Sequence, residues 1–180
     1  MFDCKNKIGK ICTVIEIVIV IVSAKIPATL EPSNLCRSDG KRPDGLTNLC
    51  WKQGKPLIWD FTVADTLCDT YVKKSAKRAG SAAETREELK TKKYKDLTNY
   101  HFVPIAAETY GAWGPQGLRL LKEIGSKICD VTNEKCSTFY LLQRLSIAIQ
   151  RGNAACILGS VPESESLDEV FDFVEHSSES

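Results

Sequence analysis

Two aspartates in the first half of the chain lie in segments where an ionisable side chain is unexpected. Asp44 follows Pro43 at the head of a strand-like run, and Asp60 stands between Trp59 and Phe61 in the apolar run LIWDFTV. A bare charge in such surroundings is costly, so each carboxylate must be paired, protonated or bound to a metal. Two carboxylates on neighbouring antiparallel strands can converge on one divalent cation. Oxygen ligands completed by waters and a phosphate suit Mg²⁺ (or Mn²⁺), which supports phosphodiester hydrolysis.

Each aspartate also has a simpler explanation. Asp44 could be an ordinary turn residue, and Asp60 could form a buried salt bridge to a lysine of a helix. If the two lie close together without a metal, their charges repel. We therefore expect at least one raised pKa, unless a lysine neutralises the pair.

Four segments have the composition of strands, at residues 28–32, 43–51, 57–63 and 102–107. In the third, alternation places Leu57, Trp59, Phe61 and Val63 on one face and Ile58, Asp60 and Thr62 on the other. The first face is wholly apolar, as expected of a central strand covered by helices.

Three helices are predicted. Ser81-x-x-Glu84 has the form of a capping box that opens a helix to about residue 99. The residues that share its inner face at helical spacing are Ala83, Glu87, Lys90, Tyr94 and Leu97. A second helix is marked by Leu118, Leu121, Ile124 and Ile128, and a third by Phe139, Leu142, Leu145 and Ile149, with Gly152 as its C-cap. The order of elements predicts an α/β (α+β) fold with a mixed four-stranded sheet flanked by helices.

The chain divides into three parts. Residues 1–24 hold an apolar run behind a basic start, which indicates a buried helix or strand; a signal peptide or membrane anchor and an artefactual segment are the alternatives. Residues 25–161 form the main domain. Residues 162–180 are an acidic tail, predicted to be mobile.

The distribution of charge and cysteine narrows the function class. The tail contains seven of the 23 acidic residues and none of the 24 basic residues, so the body carries an excess of about eight positive charges, which fits a polyanionic partner. The eight cysteines lack the spacing of a disulfide scaffold. We therefore predict reduced, largely buried thiols and a nuclear or cytoplasmic location. A secreted disulfide protein remains the alternative.

Pro43-Asp44 followed by Asp60 resembles the PD-(D/E)xK motif of restriction-endonuclease-like nucleases, although Thr62 occupies the place of the motif lysine. The next helix contains EELKTKKY, with lysines at Lys90 and Lys93. This arrangement resembles the restriction-like endonuclease domain at the C-terminal end of non-LTR retrotransposon reverse-transcriptase polyproteins, in which the catalytic lysine has moved to that helix. The likeness continues through KRPDG, PLIWDFTVADT, FVPIAAETYG and LLQRLSIAIQRGNA, over roughly residues 23–158.

The resemblance implies a restriction-endonuclease-like core, here as a detached fragment that nicks DNA. It implies Asp44 and Asp60 as metal ligands and Lys90 or Lys93 as the catalytic lysine. The implied partners are DNA and a reverse transcriptase of the parent element, with no small-molecule cofactor. The family also has a Cys-Cys-His-Cys knuckle and a helix ahead of the first strand, and the chain has no histidine before His101.

Seven basic residues and one tyrosine are the candidate DNA contacts, since phosphate binding favours Lys and Arg. The candidates are Lys73, Lys74, Lys77, Arg78, Lys92, Tyr94, Arg144 and Arg151. Tyr94 has the alternative of a core residue with a bonded hydroxyl, and Glu31 could supply a further carboxylate. The alternative function is a non-catalytic, nucleic-acid-binding remnant of the same element, favoured by Thr62 and the absent upstream parts.

Overall fold

The computed structural model describes residues 5–35 and 42–158, and its centre is one four-stranded sheet. The strands run in the order β1-β2-β3-β4, namely Ala28–Leu30, Gly45–Lys52, Lys55–Ala64 and His101–Glu108. The first three are antiparallel, and β4 is parallel to β3. The mixed four-stranded sheet predicted from the sequence is therefore confirmed.

A tight turn joins β2 to β3 and fixes the register in which these two strands pair. Gln53 and Gly54 both have positive φ values, 51° and 70°, as expected of a two-residue hairpin turn that matches the twist of its strands. Gly45 pairs with Trp59 in this hairpin, and the Asp44 N–H donates to the Trp59 carbonyl at 2.9 Å. The hairpin thus brings Asp44 alongside Asp60.

Two helices lie between β3 and β4: α2 at Val72–Ser75 and α3 at Ser81–Lys93. The predicted capping box is wrong, because Gly80 caps α3 with a positive φ of 83° and Ser81 is already helical. The capping acceptor is instead the buried Glu108, whose Oε1 accepts the Ala82 N–H at 2.9 Å. The helix also ends at Lys93 rather than near residue 99, with Tyr94 as its C-cap.

The face of the sheet that carries Trp59 and Phe61 is covered by three helices. These are α1 at Lys5–Ser23, α4 at Pro115–Thr132 and α5 at Ser137–Leu158. Trp59 and Phe61 of β3 are fully buried against them, in one core with Ile17, Ile21, Leu121, Ile124, Leu145 and Ile149. The predicted apolar face of β3 is thereby confirmed.

The N-terminal apolar run forms α1, which confirms the interpretation of a buried segment packed on the core. Val14, Ile17, Val20 and Ile21 are buried in that core, while Ile15, Ile19 and Val22 are exposed. Among the described residues, no helix combines the length and apolar character needed to cross a bilayer. The predicted mobile tail, 162–180, lies outside the described residues.

Two expectations about α5 and the thiols need correction. The buried face of α5 is formed by Leu141, Leu145, Ala148, Ile149 and Gly152, because the helix packs against both α1 and α4. Phe139 is instead 65% exposed, and Gly152 lies inside the helix rather than at its C-cap. Among cysteine side chains that the structure describes, all are free thiols, but those of Cys50, Cys68 and Cys136 are exposed rather than buried.

A buried carboxylate connects α3 to α4. Glu87 is 0% exposed, and its two oxygens accept the N–H groups of Gln116 at 2.9 Å and Gly117 at 2.7 Å. These N–H groups belong to the first turn of α4, where the helix has unpaired donors and a positive dipole end. Gly114 permits the approach, since a Cβ there would lie 2.3 Å from Glu87 Cδ.

We expect Glu87→Gln to lower the free energy of unfolding by about 1–3 kcal/mol, because the amide replaces one acceptor with a donor that faces buried N–H groups. Glu88→Gln, on the exposed side of the same helix, is the matched control and should change stability by less than about 0.5 kcal/mol. Urea denaturation measures both. Equal stability of the two variants would show that Glu87 does not hold α4.

Candidate active site

Asp44 is held by the backbone of its neighbours. It lies directly before β2 and is 8% exposed. Its carbonyl accepts the Glu31 N–H at 3.0 Å, and its carboxylate Oδ2 accepts the Phe61 N–H at 2.6 Å. A short bond from a backbone donor fixes the direction of this carboxylate. Asp44 is therefore more than a surface turn residue.

Asp60 occupies the middle of β3 and is 2% exposed. Its Oδ2 lies 2.7 Å from Nζ of Lys90, whose side chain is 20% exposed. The inward orientation of Lys90 predicted from the helical stripe is thus confirmed. The salt bridge to a helix lysine, weighed above as the simpler explanation of Asp60, is present as well.

A second lysine, which sequence reasoning missed, joins the two acids. Nζ of Lys10 in α1 lies 2.9 Å from Oδ1 of Asp44 and 3.7 Å from Oδ1 of Asp60. Two oxygens that contact one ammonium cannot be further apart than those distances together, so the carboxylates converge. The signal was present in the sequence: Lys10 shares a helical face with Val14, Ile17 and Ile21.

The electrostatics of the pair are asymmetric. Burial, followed by the charge of Asp60, raises the pKa of Asp44 to about 6 against the opposing effect of Lys10. Burial is the largest influence on Asp60 and would raise its pKa, but the charge and hydrogen bond of Lys90, a hydrogen bond with Asp44 and the charge of Lys10 together hold that pKa below the ordinary value. Burial likewise opposes the charge of Lys10, yet Asp44 and Asp60 raise its pKa. Asp60 is thus kept ionised, whereas Asp44 takes up a proton at a higher pH than an ordinary aspartate does.

Three further residues from the sequence analysis, Tyr94, Lys93 and Glu31, have other contacts near the site. Tyr94 is 2% exposed; its hydroxyl donates to the Arg42 carbonyl at 3.2 Å and its ring lies 4.6 Å from that of Phe102. This burial leaves Tyr94 little surface for a DNA contact. Nζ of Lys93 contacts the Tyr94 hydroxyl at 3.2 Å. Glu31 is exposed and pairs with Arg42 at 3.1 Å, so its carboxylate points to a different partner.

The candidate DNA contacts are spread over several surfaces. Lys73, Lys74, Lys77 and Lys92 are exposed, and Arg78 is paired with Glu84. A cavity of about 410 Å³ beside α2 is lined by three of these basic residues but also by Glu84 and Glu88. The two arginines of α5 lie elsewhere: Arg144 pairs with Glu16 of α1 at 2.5 Å, and Arg151 is exposed.

The donor set fits a sparsely ligated hard cation. Within residues 5–35 and 42–158, no group of three or more His, Cys, Asp or Glu side chains is placed to hold a metal ion. Mg²⁺ commonly takes only one or two carboxylates and completes its shell with waters and phosphate oxygens. The convergent pair of Asp44 and Asp60 meets that requirement.

Comparison with models of known protein families finds no match, and neither does comparison with the sequences of curated proteins. The arguments for function therefore rest on the geometry of the acids and lysines.

The pKa of Asp44 gives a prediction about stability. Because this pKa rises from 3.8 to about 6 on folding, the native chain binds more protons than the unfolded chain between these values. The contribution of Asp44 to the free energy of unfolding must then fall as the pH rises through this window. Asp44→Asn removes the titration. The free energy of unfolding of Asp44→Asn, measured relative to that of wild type, should therefore increase by about 1–3 kcal/mol between about pH 4 and about pH 7.

Denaturant unfolding of both proteins across this range measures the difference. Parallel pH profiles would contradict the raised pKa.

Proposed function

We propose that the chain is a Mg²⁺-dependent (or Mn²⁺-dependent) endonuclease that nicks DNA. The observation that carries the proposal is the convergence of Asp44 and Asp60 with the ammonium of Lys90 at one point of the sheet. Carboxylates that can hold a divalent cation, next to a positive charge, form a set suited to phosphodiester hydrolysis.

Each residue has a defined task in this proposal. Asp44 and Asp60 would hold the metal, which when bound supplies the charge that polarises the phosphate and activates water. The Phe61 N–H keeps the Asp44 carboxylate directed toward Asp60. Lys90 would orient the attacking water or balance the charge that develops on the phosphate. Its ammonium reaches Asp60 from α3, so it can serve where Thr62 supplies no charge.

The proposal includes a restriction-endonuclease-like core and an origin in a retrotransposon. The sheet is mixed and four-stranded, and both acids lie on its adjacent antiparallel strands β2 and β3. The helix α1 lies directly ahead of the first strand, which is the order of elements that the resemblance implies. DNA is the proposed partner, and a reverse transcriptase of the parent element would extend the nicked strand.

A second candidate is a non-catalytic DNA-binding remnant of the same element. The observation that favours it is the pairing of both acids with lysines, since such ion pairs also satisfy buried carboxylates without any metal. In this case basic surfaces such as that of Lys73, Lys74 and Lys77 would still bind phosphates.

A plasmid-nicking assay separates the two candidates. Wild type should convert supercoiled plasmid to the open-circular form only with Mg²⁺ or Mn²⁺. Asp60→Asn, which removes a ligand charge with little change in shape, should reduce the rate by at least ~10²-fold, comparable to the loss of other transition-state charge contacts. Retained DNA binding without nicking by wild type, measured by fluorescence anisotropy, would favour the remnant.

The lysines give a sharper comparison within one helix. Lys90→Ala should reduce nicking by at least ~10²-fold, because its ammonium lies 2.7 Å from Asp60. DNA affinity should change little, since one phosphate contact is a small part of the electrostatic binding energy. Lys93→Ala tests the other lysine of the motif, and we expect a smaller effect because its ammonium contacts Tyr94.

Lys92→Ala, an exposed residue on the same helix, is the control and should cleave at the wild-type rate. Thermal melting establishes that each variant is folded at the assay temperature. Equal losses from all three substitutions would reduce the lysines to a general basic surface.

A further inference from the structure

The ammonium of Lys10 occupies the position that a bridging cation would take. It contacts one oxygen of Asp44 at 2.9 Å and one oxygen of Asp60 at 3.7 Å, so it lies between the carboxylates. Lys90, by contrast, contacts the other oxygen of Asp60. A single positive charge shared by two acids is the simplest replacement for a divalent ion.

We propose that Lys10 is an exchangeable counterion of the acid pair, which a divalent metal must displace in order to bind. The inference rests on the proposed function, because it takes Asp44 and Asp60 as the metal ligands. It adds a residue from α1, a helix outside the motifs that suggested a nuclease, and it assigns this residue to control of metal affinity.

The structure identifies Lys10 rather than Lys90 as the group that leaves. The Lys10 side chain is 35% exposed and the Lys90 side chain 20%, so Lys10 has the more open route to solvent. Its two contacts are also longer than the 2.7 Å contact of Lys90 with Asp60. A lysine ammonium on a flexible four-carbon stem moves without any change in the backbone.

Displacement of the ammonium leaves α1 docked. The helix is held by Val14, Ile17, Val20 and Ile21, which are buried in the main core independently of the ion pairs. Metal binding would therefore release one side chain and not a helix. In the absence of metal, Lys10 keeps two adjacent buried carboxylates from facing each other without compensation.

Under such competition the apparent affinity for the metal is the intrinsic affinity multiplied by the fraction of molecules in which Lys10 has left the acids. If Lys10 holds the acids in about nine molecules of ten, Lys10→Met should bind Mn²⁺ about tenfold more tightly than wild type. Methionine retains the length of the apolar stem and removes the charge. Lys122→Met, an exposed lysine of α4 to which no role is assigned, is the matched control and should bind Mn²⁺ with the wild-type Kd.

Isothermal titration calorimetry with MnCl₂ measures these affinities without any need for cleavage. Asp60→Asn should abolish binding, which locates the metal at the pair. If wild type and Lys10→Met bind Mn²⁺ equally and Asp60→Asn does not, the metal site stands and the role of Lys10 is overturned. If none of the folded proteins binds Mn²⁺, the proposed function fails as well.

A measurement on the unmodified chain covers the case in which Lys10→Met does not fold. Lysine acetylation followed by mass spectrometry reports how accessible each ammonium group is. Saturating Mn²⁺ should increase the labelling rate of Lys10 several-fold relative to that of Lys92, because the side chain leaves the acids for solvent. An unchanged rate at Lys10, with Mn²⁺ binding shown by calorimetry, would overturn the exchange.

Discussion

The placement of two carboxylates side by side in a poorly hydrated environment is the constraint on which the rest of the structure depends. The register of the β2–β3 hairpin makes it unavoidable, because Asp44 enters the sheet next to Asp60. Two such charges repel and are costly to desolvate, so the fold must bring positive groups to them. It does so from two helices, with Lys10 from α1 and Lys90 from α3.

The same principle applies to the other buried acids. Glu87 accepts two N–H groups of the first turn of α4, and Glu108 accepts an N–H group at the start of α3. Each of these carboxylates satisfies donors that a helix leaves unpaired at its N-terminus. The buried acids therefore act as connections between elements, and the sheet and helices that flank the site are joined by polar contacts as well as by apolar packing.

Sequence patterns predicted the sheet, the inner face of α3 and the convergence of Asp44 with Asp60, because alternation and helical spacing report directly which side chains share a face. They failed where tertiary contacts decide the outcome. A Ser-x-x-Glu pattern indicated a capping box, but Glu108 from a distant strand supplies the cap. The buried face of α5 is set by α1 and α4 together, which turned Phe139 outward. Lys10 was missed because its helix was considered only as an apolar run.

The distances along the chain between the partners have a consequence for assembly. Lys10 meets Asp44 across 34 residues, and Lys90 meets Asp60 across 30. Contacts between such remote residues require the intervening chain to be ordered, which costs entropy before any contact compensates for it. A growing or partly folded chain thus holds its acids apart from their lysines. The proposed site would then be complete only when the whole domain has folded.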